Sequence, residues 1–551
     1  MAIYRSPHPA IAIPDTPLAA FVLARAAERG ERAALIDSIT GRTITYAQLS
    51  GLVDRAAAAL AELGIRKGDV CAIFSPNAPE YAVAVLAIAR LGAVLTTASP
   101  MCTRDDLVKQ FTDSRPRILF TSEAVGATAL DAWRIFRLKA EATGIEKPDA
   151  PTAAEASGIF HRKAEATEVI SFGPMDGATP FEELLARPGT PPAVAIEPDD
   201  LVALPYSSGT TGLPKGVMLS HRNLVANILQ VDRAGHLIDG DDTLVTFLPF
   251  FHIYGLVVIM LLGLRSGASI VVMPRFDLDS YLDLVERYRA TMLHVVPPIV
   301  LALAKSPTTR ARDLTSVRKL FSGAAPLGAD VIRQCTARVG CFLQQGYGLT
   351  ESSPATHTTP DDPANTKPGS IGAPVANTEC RVVDPATRED VAPGQDGEIW
   401  IRGPQVMLGY LNCPDATRAT VDEEGWLHTG DIGHADAHGD FFIVDRLKEL
   451  IKYKGMQIAP AELESLLLSH PAVADAAVVS QKDEAAGEIP RAFVVLKGPA
   501  TAEELMTFVA QHVASYKKIR RLDFIDVIPK SPSGKILRRL LRETYCTPAI
   551  T

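Results

Sequence analysis

Cysteine is scarce in this sequence, and its arrangement excludes two common structural uses. Seven cysteines occur among 551 residues, so the number is odd, and no two of them form a Cys-x-x-Cys pair. This pattern argues against a disulfide framework and against a zinc site. It is typical of a reducing compartment, and we therefore expect a cytoplasmic protein.

Long hydrophobic runs and targeting signals are also missing. The longest apolar run, Leu256–Leu264, is far shorter than the ~20 residues that span a bilayer. The first residues have no apolar core after a basic start, and the last three are Ala-Ile-Thr. We therefore expect no transmembrane segment, no signal peptide and no peroxisomal signal.

The sequence has no excess of positive charge that would indicate nucleic acid or an anionic membrane as a partner. The formal net charge is −9. The end of the chain differs, because residues 446–551 contain 16 Lys and Arg against 12 Asp and Glu. A basic end segment could approach a polyphosphate, although composition alone fits solvated surface lysines equally well.

Strand-like and helix-like apolar segments alternate along residues 33–121. Strand-like runs at 33–37, 69–74 and 93–97 are separated by helix-like runs at 47–63 and 80–91. Such alternation predicts a parallel sheet with helices on both faces, so the fold class is α/β. A length of 551 residues predicts three or four structural units at ~150 residues each.

Residues 124–200 break this alternation. The pentapeptide KAEAT occurs at 139–143 and again at 163–167, and the sequence between the two copies is rich in Ala, Glu, Pro and Thr. We interpret this segment as an exposed, partly disordered insertion or variable loop.

A glycine-rich loop, YSSGTTGLPKGVMLSH, follows at residues 206–221. Apolar runs at 201–205 and 217–219 predict a strand on each side of it. Glycines allow close backbone approach, turned N–H groups bind anions, and hydroxyls and one lysine add donors. A mobile linker is the weaker interpretation. The nucleotide-hydrolase P-loop is excluded, because Lys215 is followed by glycine and a strand-like run.

Four further motifs follow in order. They are QGYGLTE (345–351), GWLHTGD (425–431), VDRLKELIKYKG (444–455) and SPSGKILRR (531–539). With the glycine loop they resemble the signatures of the adenylate-forming superfamily, which holds acyl-CoA synthetases, luciferase and peptide-synthetase adenylation domains. The likeness is greatest to the 4-coumarate–CoA ligase type and covers roughly residues 15–545.

The resemblance implies a two-domain architecture. Residues 1–445 would form an AMP-binding domain of two α/β subdomains plus a small β-barrel, and residues 446–551 a mobile α+β domain. It also implies ATP, Mg²⁺ and CoA as ligands and a small carboxylic acid as substrate, in a monomer or homodimer.

The resemblance assigns roles to individual residues. Lys535, Lys452, Thr350 and Glu351 would act in catalysis, with Glu351 also binding Mg²⁺. ATP or AMP would contact a larger set: Ser207, Ser208, Gly209, Thr210, Thr211, Gly212, Lys215, Gln345, Gly346, Tyr347, Thr350, Asp431, Arg446, Lys448, Lys452 and Lys535. CoA would contact Arg275, Lys454 and Gly455, with Gln457 nearby.

The acyl pocket is placed by position. It would be lined by His252, Tyr254, Val258, Lys305, Gly323, Ala324, Gly346 and Gly348. Val258 stands where plant relatives have a hydroxyl-bearing serine, which favours a less hydroxylated aromatic acid or a medium-chain acid. Two alternatives stay open at this point: adenylation followed by transfer to a carrier protein or by oxidation, and a non-catalytic nucleotide or acyl binder.

Overall fold

The computed structural model describes residues 3–143, 168–207, 214–233, 238–325, 327–454, 456–484, 486–531 and 534–546. Within these residues four sheets organise the chain. No helix in the described part of the chain is long and apolar enough to cross a membrane.

The strands and helices are numbered in chain order. The strands are β1 (Tyr4–Arg5), β2 (Ala33–Asp37), β3 (Thr43–Thr45), β4 (Val70–Phe74), β5 (Val94–Ala98), β6 (Ile118–Thr121), β7 (Glu168–Ser171), β8 (Thr179–Pro180), β9 (Leu201–Ser207), β10 (Lys215–Ser220), β11 (Thr243–Thr246), β12 (Ser269–Val272), β13 (Met292–Val295), β14 (Lys319–Ser322), β15 (Phe342–Gly348), β16 (Ala355–Thr358), β17 (Ala373–Pro374), β18 (Glu379–Val383), β19 (Gly397–Arg402), β20 (Gly409–Tyr410), β21 (Leu427–Ala435), β22 (Phe441–Arg446), β23 (Ile451–Tyr453), β24 (Met456–Ile458), β25 (Val473–Asp483), β26 (Gly487–Leu496) and β27 (Arg521–Phe524). The α-helices are α1 (Leu18–Leu23), α2 (Ala26–Arg29), α3 (Tyr46–Glu62), α4 (Pro79–Arg90), α5 (Arg104–Ser114), α6 (Gly126–Thr143), α7 (Phe181–Ala186), α8 (His221–Arg233), α9 (Leu262–Ser266), α10 (Leu278–Arg287), α11 (Pro297–Lys305), α12 (Ala329–Val339), α13 (Pro414–Thr420), α14 (Pro460–Ser469), α15 (Ala502–Ala510) and α16 (Arg538–Leu541). A π-helix, Tyr254–Leu261, runs directly into α9.

Two large sheets form the first part of the chain. One has the order β20-β10-β9-β5-β4-β6-β7-β8 and the other β17-β16-β15-β14-β13-β11-β12-β2-β3. Their central strands are parallel. Antiparallel strands close both edges of the second sheet and one edge of the first, whose other edge strand, β8, is parallel to β7. One continuous hydrophobic cluster joins residues of both sheets. The predicted α/β class is confirmed.

The predicted alternation along residues 33–121 is confirmed by β2, α3, β4, α4, β5 and β6. All five residues of β4 and all five of β5 are buried. Strands buried on both faces are expected where helices cover a parallel sheet, and they explain why these strands are continuous apolar runs.

The prediction that residues 124–200 are exposed is wrong for helix α6 and strand β7. Helix α6 packs on α5 and buries Trp133 and Phe136, and β7 pairs in parallel with β6. Thus α6 and β7 continue the same α/β alternation. Residues 144–167, which include the second KAEAT, lie outside the described residues.

Beyond residue 370 the sheets are smaller. β1, β18, β19, β21 and β22 form a five-stranded antiparallel sheet where the sequence predicts a small barrel. The predicted boundary at Asp445–Arg446 falls at the end of β22. The C-terminal sheet then contains β24, β23, β26, β25 and β27, with α14 and α15 beside it in a separate hydrophobic core.

Replacing Trp133 by Ala tests whether α6 belongs to the fold. Trp133 is 5% exposed and its ring lies 5.7 Å from that of Phe111, so we expect a loss of about 3–5 kcal/mol of stability. Leu138→Ala is the matched control on the same helix, because Leu138 is 56% exposed. Thermal unfolding should separate the two variants, and equal midpoints would restore the interpretation of an exposed insertion.

Candidate active site

Glu351 is held by hydroxyl groups from two strands, β9 and β20, which lie on either side of β10. Ser207 Oγ at the end of β9 donates to Glu351 Oε1 at 2.8 Å, and Tyr410 OH on β20 donates to the same oxygen at 2.9 Å. Lys215, the first residue of β10, has its Nζ 5.2 Å from the centre of the Tyr410 ring. The start of the glycine loop therefore meets the QGYGLTE motif directly, and its end lies over Tyr410, which contacts the same glutamate.

Asp431 is fixed by two partners. Tyr347 OH on β15 donates to Asp431 Oδ2 at 2.6 Å, and Arg446 Nε lies 3.2 Å from Asp431 Oδ1. Asp431 and Arg446 face each other in the register of β21 and β22. The carboxylate is 4% exposed, and burial, followed by the charge of Asp431, raises the pKa of Tyr347 well above its usual value. The predicted ribose ligands thus form one preorganised group.

Lys535 brings the C-terminal domain into the same site. The pKa of Lys535 is lowered to about 8, because burial and the positive charges of Arg446 and Lys448 together outweigh the opposing effects of Asp431 and Glu351. Gly534, at φ +80°, packs on Pro298, and a Cβ there would lie 3.1 Å from its ring. The backbone before Lys535 therefore rests on the start of α11, and the ammonium lies in the field of the Asp431 and Glu351 carboxylates.

The predicted acyl residues lie partly together beside this charge cluster. A Cβ on Gly323 would lie 3.6 Å from the Tyr254 ring and 3.5 Å from the Gly346 carbonyl oxygen. Val258 is buried in the π-helix that Tyr254 begins. Burial, together with the charge of Lys535, lowers the pKa of His252 to about 4, so His252 is neutral near pH 7.

Close backbone packing explains two of the predicted glycines. A Cβ on Gly346 would lie 2.6 Å from the Phe321 ring, and a Cβ on Gly348 would lie 2.1 Å from the Pro354 carbonyl oxygen. Ala324, beside Gly323, adopts a left-handed backbone at φ +74°. Gln345 is buried, and its side-chain amide donates to the Ser370 carbonyl at 3.0 Å.

Lys305 faces the C-terminal domain. It ends α11, where Lys497 and Asp475 are its charged neighbours. Burial lowers the pKa of Lys305 to about 8, and Lys497 adds to the effect. The described contacts of Lys305 thus place it at the domain interface, and its role in lining the acyl pocket stays a prediction.

The residues predicted to bind CoA are not gathered at the site in this domain arrangement. Lys452, Lys454 and Gln457 are exposed on the β23–β24 hairpin, and Arg275 is exposed after β12. Thr350 and Lys448 lie next to residues of the charge cluster, on either side of the domain boundary. Predictions for Ser208, Gly209, Thr210, Thr211, Gly212 and Gly455 fall outside the described residues.

Two side chains with contacts at the site were not predicted. Tyr410 was missed because the GYLN segment around it has no charged residue and no series of hydroxyl side chains. Its hydroxyl nevertheless donates to Glu351, 59 positions away. His294 was missed because it lies inside an apolar strand-like run; its Nδ1 is 3.2 Å from Tyr254 OH, which also lies 3.3 Å from the Phe321 carbonyl oxygen. Burial lowers the pKa of His294 to about 3.

The arrangement around Glu351 fits Mg²⁺. Its contacts among the described residues go to Oε1, and the described part of the chain has no group of three His, Cys, Asp or Glu that could hold a metal alone. A single carboxylate oxygen plus substrate phosphates is a usual environment for Mg²⁺. The ion would neutralise phosphate charge when bound there.

Comparison with known families agrees with this geometry. The model of the AMP-binding enzyme family matches residues 22–411, and that of the AMP-binding enzyme C-terminal domain matches residues 462–535. The chain therefore belongs to the AMP-binding enzyme family, and the resemblance to adenylate-forming enzymes is confirmed.

Individual relatives extend over nearly the whole chain. 4-Coumarate–CoA ligase 3 of Oryza sativa subsp. japonica is 44% identical over 98% of this chain and 95% of its own, and 4-coumarate–CoA ligase 1 of Petroselinum crispum is 43% identical over 98% and 96%. Among solved structures, ATP-bound MatB from Rhodopseudomonas palustris has a TM-score of 0.84 at 29% identity, covering 97% and 99% of the two chains. A benzoate CoA ligase from Burkholderia xenovorans LB400 has a TM-score of 0.83 at 27% identity, covering 96% and 100%.

The pH at which Lys535 loses its proton tests the electrostatics of the site. With a pKa of about 8, half of the Lys535 side chains should react with acetic anhydride near that pH, as measured by peptide mapping. Arg446→Met should move the midpoint upward, because a repelling charge is removed. Asp431→Asn should move it downward. A midpoint near the ordinary lysine value of about 10.4 would contradict the placement of Lys535.

Proposed function

We propose that this chain is an ATP-dependent ligase that joins an aromatic acid of the 4-coumarate type to CoA through an acyl-adenylate. The observation that carries this proposal is the meeting of Lys535 with Asp431, Arg446 and Glu351 in one site. Family membership and relatives named 4-coumarate–CoA ligases, at 42–46% identity, support the same activity.

The first step needs positioning and charge, with no nucleophile from the protein. A carboxylate oxygen of the acid attacks the α-phosphorus of ATP, an O–P bond forms, and the bond to pyrophosphate breaks. The ammonium of Lys535 would hold the acid and the α-phosphate together as charge develops. Asp431, oriented by Tyr347 and Arg446, would accept from the ribose hydroxyls.

The second step uses a different face of the C-terminal domain. The thiol of CoA attacks the acyl carbon, the thioester forms, and AMP leaves. Lys452 and Lys454 are exposed on the β23–β24 hairpin while Lys535 is in the site. We infer that rotation near Lys448 exchanges the two faces, so that the hairpin meets the adenylate and Arg275 meets the CoA phosphates.

The acyl pocket favours a flat acid with few ring hydroxyls. Tyr254 offers a ring wall beside Gly323, and its hydroxyl already contacts the Phe321 carbonyl and His294. Val258 can neither donate nor accept a hydrogen bond. We therefore expect cinnamate and 4-coumarate to be better substrates than acids with additional ring hydroxyls.

Pyrophosphate release across a panel of acids tests the function. The panel contains cinnamic, 4-coumaric, caffeic, benzoic and C6–C16 fatty acids, each with MgATP and with or without CoA. We expect cinnamic and 4-coumaric acids to give a stoichiometric burst of pyrophosphate without CoA and sustained turnover with it. The proposal would be contradicted if no acid led to pyrophosphate release, or if the rate of sustained turnover were the same with and without CoA.

Two lysine variants are matched controls for this assay, because each removes one ammonium. Lys535→Met should lower the rate of adenylate formation by about 10²–10³-fold while sparing thioester formation from pre-made adenylate. Lys454→Met should do the reverse. Equal losses in both steps would contradict the proposed exchange of faces.

A further inference from the structure

Asp113 lies in an electrostatically unfavourable position on its helix. It is in the last turn of α5, where the helix dipole disfavours a carboxylate. Both of its oxygens are nevertheless used: Tyr206 OH donates to Oδ2 at 2.6 Å, and Asn412 Nδ2 donates to Oδ1 at 3.0 Å. The side chain therefore has tertiary contacts that compensate for its position.

The two partners of Asp113 are neighbours of the two residues that hold Glu351. Tyr206 immediately precedes Ser207, and Asn412 follows Tyr410 by two positions. Because Ser207 and Tyr410 donate to the same oxygen of Glu351, their spacing decides where that carboxylate lies. The Asp113 carboxylate thus links the two chain segments whose hydroxyl groups orient the Glu351 carboxylate.

The structure between the two segments explains how a single side chain reaches both. β10 lies between β9 and β20, and Gly216 of β10 pairs with Tyr206. A Cβ on Gly216 would lie 3.2 Å from the Tyr206 ring and 3.3 Å from Leu411 Cβ. The absence of a side chain at Gly216 thus leaves room for both the Tyr206 ring and Leu411, the residue before Asn412.

We propose that Asp113 is a positioning residue for Glu351, and through it for the metal that accompanies ATP. This inference rests on the proposed function. It predicts that Asp113 acts on metal and nucleotide binding, and that it leaves recognition of the acid unchanged.

Metal dependence is the direct test. Loss of a direct hydrogen-bond partner of a metal ligand typically lowers metal affinity about 10–100-fold, and the lower end of that range is expected for Asp113, which acts through the segments that carry such partners. Asp113→Ala should therefore raise, by about tenfold or more, both the Mg²⁺ concentration for half-maximal pyrophosphate release and the Kd for Mn²⁺ with ATP, followed by electron paramagnetic resonance. The KM for the acid should stay within about twofold. Asp113→Asn, which keeps an acceptor for Tyr206, should lie between.

Two controls separate positioning from a general loss of structure. Asp105→Ala removes an exposed carboxylate from the same helix and should leave metal affinity unchanged. Tyr206→Phe should reproduce the effect of Asp113→Ala, and the double variant should be no worse than Asp113→Ala alone, because either change breaks the link that Asp113 makes between the Tyr206 and Asn412 segments.

The outcomes are distinguishable. Unchanged Mn²⁺ affinity in Asp113→Ala and Tyr206→Phe, or additive losses in the double variant, would overturn the inference. If Asp113→Ala does not fold, Asp113→Asn and Tyr206→Phe decide the question by the same measurements. A wild-type protein that releases no pyrophosphate with any acid would contradict the proposed function instead.

Discussion

A positive charge buried where two domains meet is the constraint on which this site depends. Burying an ammonium is unfavourable unless opposite charge lies close by, and the shift of the Lys535 pKa to about 8 reflects that cost. Asp431 and Glu351 favour the charged form, whereas Arg446 and Lys448 oppose it. A site with this balance gains most from a polyanion, and the triphosphate of ATP supplies one.

The other residues of the site come from three different sheets. The first large sheet supplies the hairpin of β9 and β10 and, through β20, Tyr410; the second supplies Tyr347 and leads to Glu351. The small antiparallel sheet supplies Asp431 and Arg446 as a paired register. In the proposed mechanism these groups stay in place, and the domain that carries Lys535 moves between the two steps.

Much of the fold could be predicted because its signals are local. The strands β4 and β5 are continuous apolar runs, and α3 begins and ends within one residue of its predicted range. The meeting of Glu351, Asp431 and Lys535 in one site was predictable because each lies in a motif that resembles the family signatures, whereas their chemical roles stay predictions.

The sequence-based predictions failed where the local composition of a segment gives no sign of its tertiary contacts. Helix α6 was not predicted because the sequence around it is rich in Ala and Glu. Trp133 and Phe136 are nevertheless three positions apart and share the buried face that packs on Phe111. Tyr410 and Asp113 act through partners 59 and 93 positions away, and only the sheet order brings those partners together. No periodicity within one segment carries that information.

Trapping the domain arrangement tests the account most directly. Gly534 approaches Pro298 so closely that cysteines at both positions should come near the Cβ–Cβ separation of about 3.5–4.5 Å that a disulfide requires. The oxidised double variant should form acyl-adenylate in a single turnover and yield thioester only after reduction, whereas each single variant should do both. Equal thioester formation before and after reduction, with the disulfide verified by mass, would contradict the claim that Lys535 occupies the site for one step and leaves it for the next.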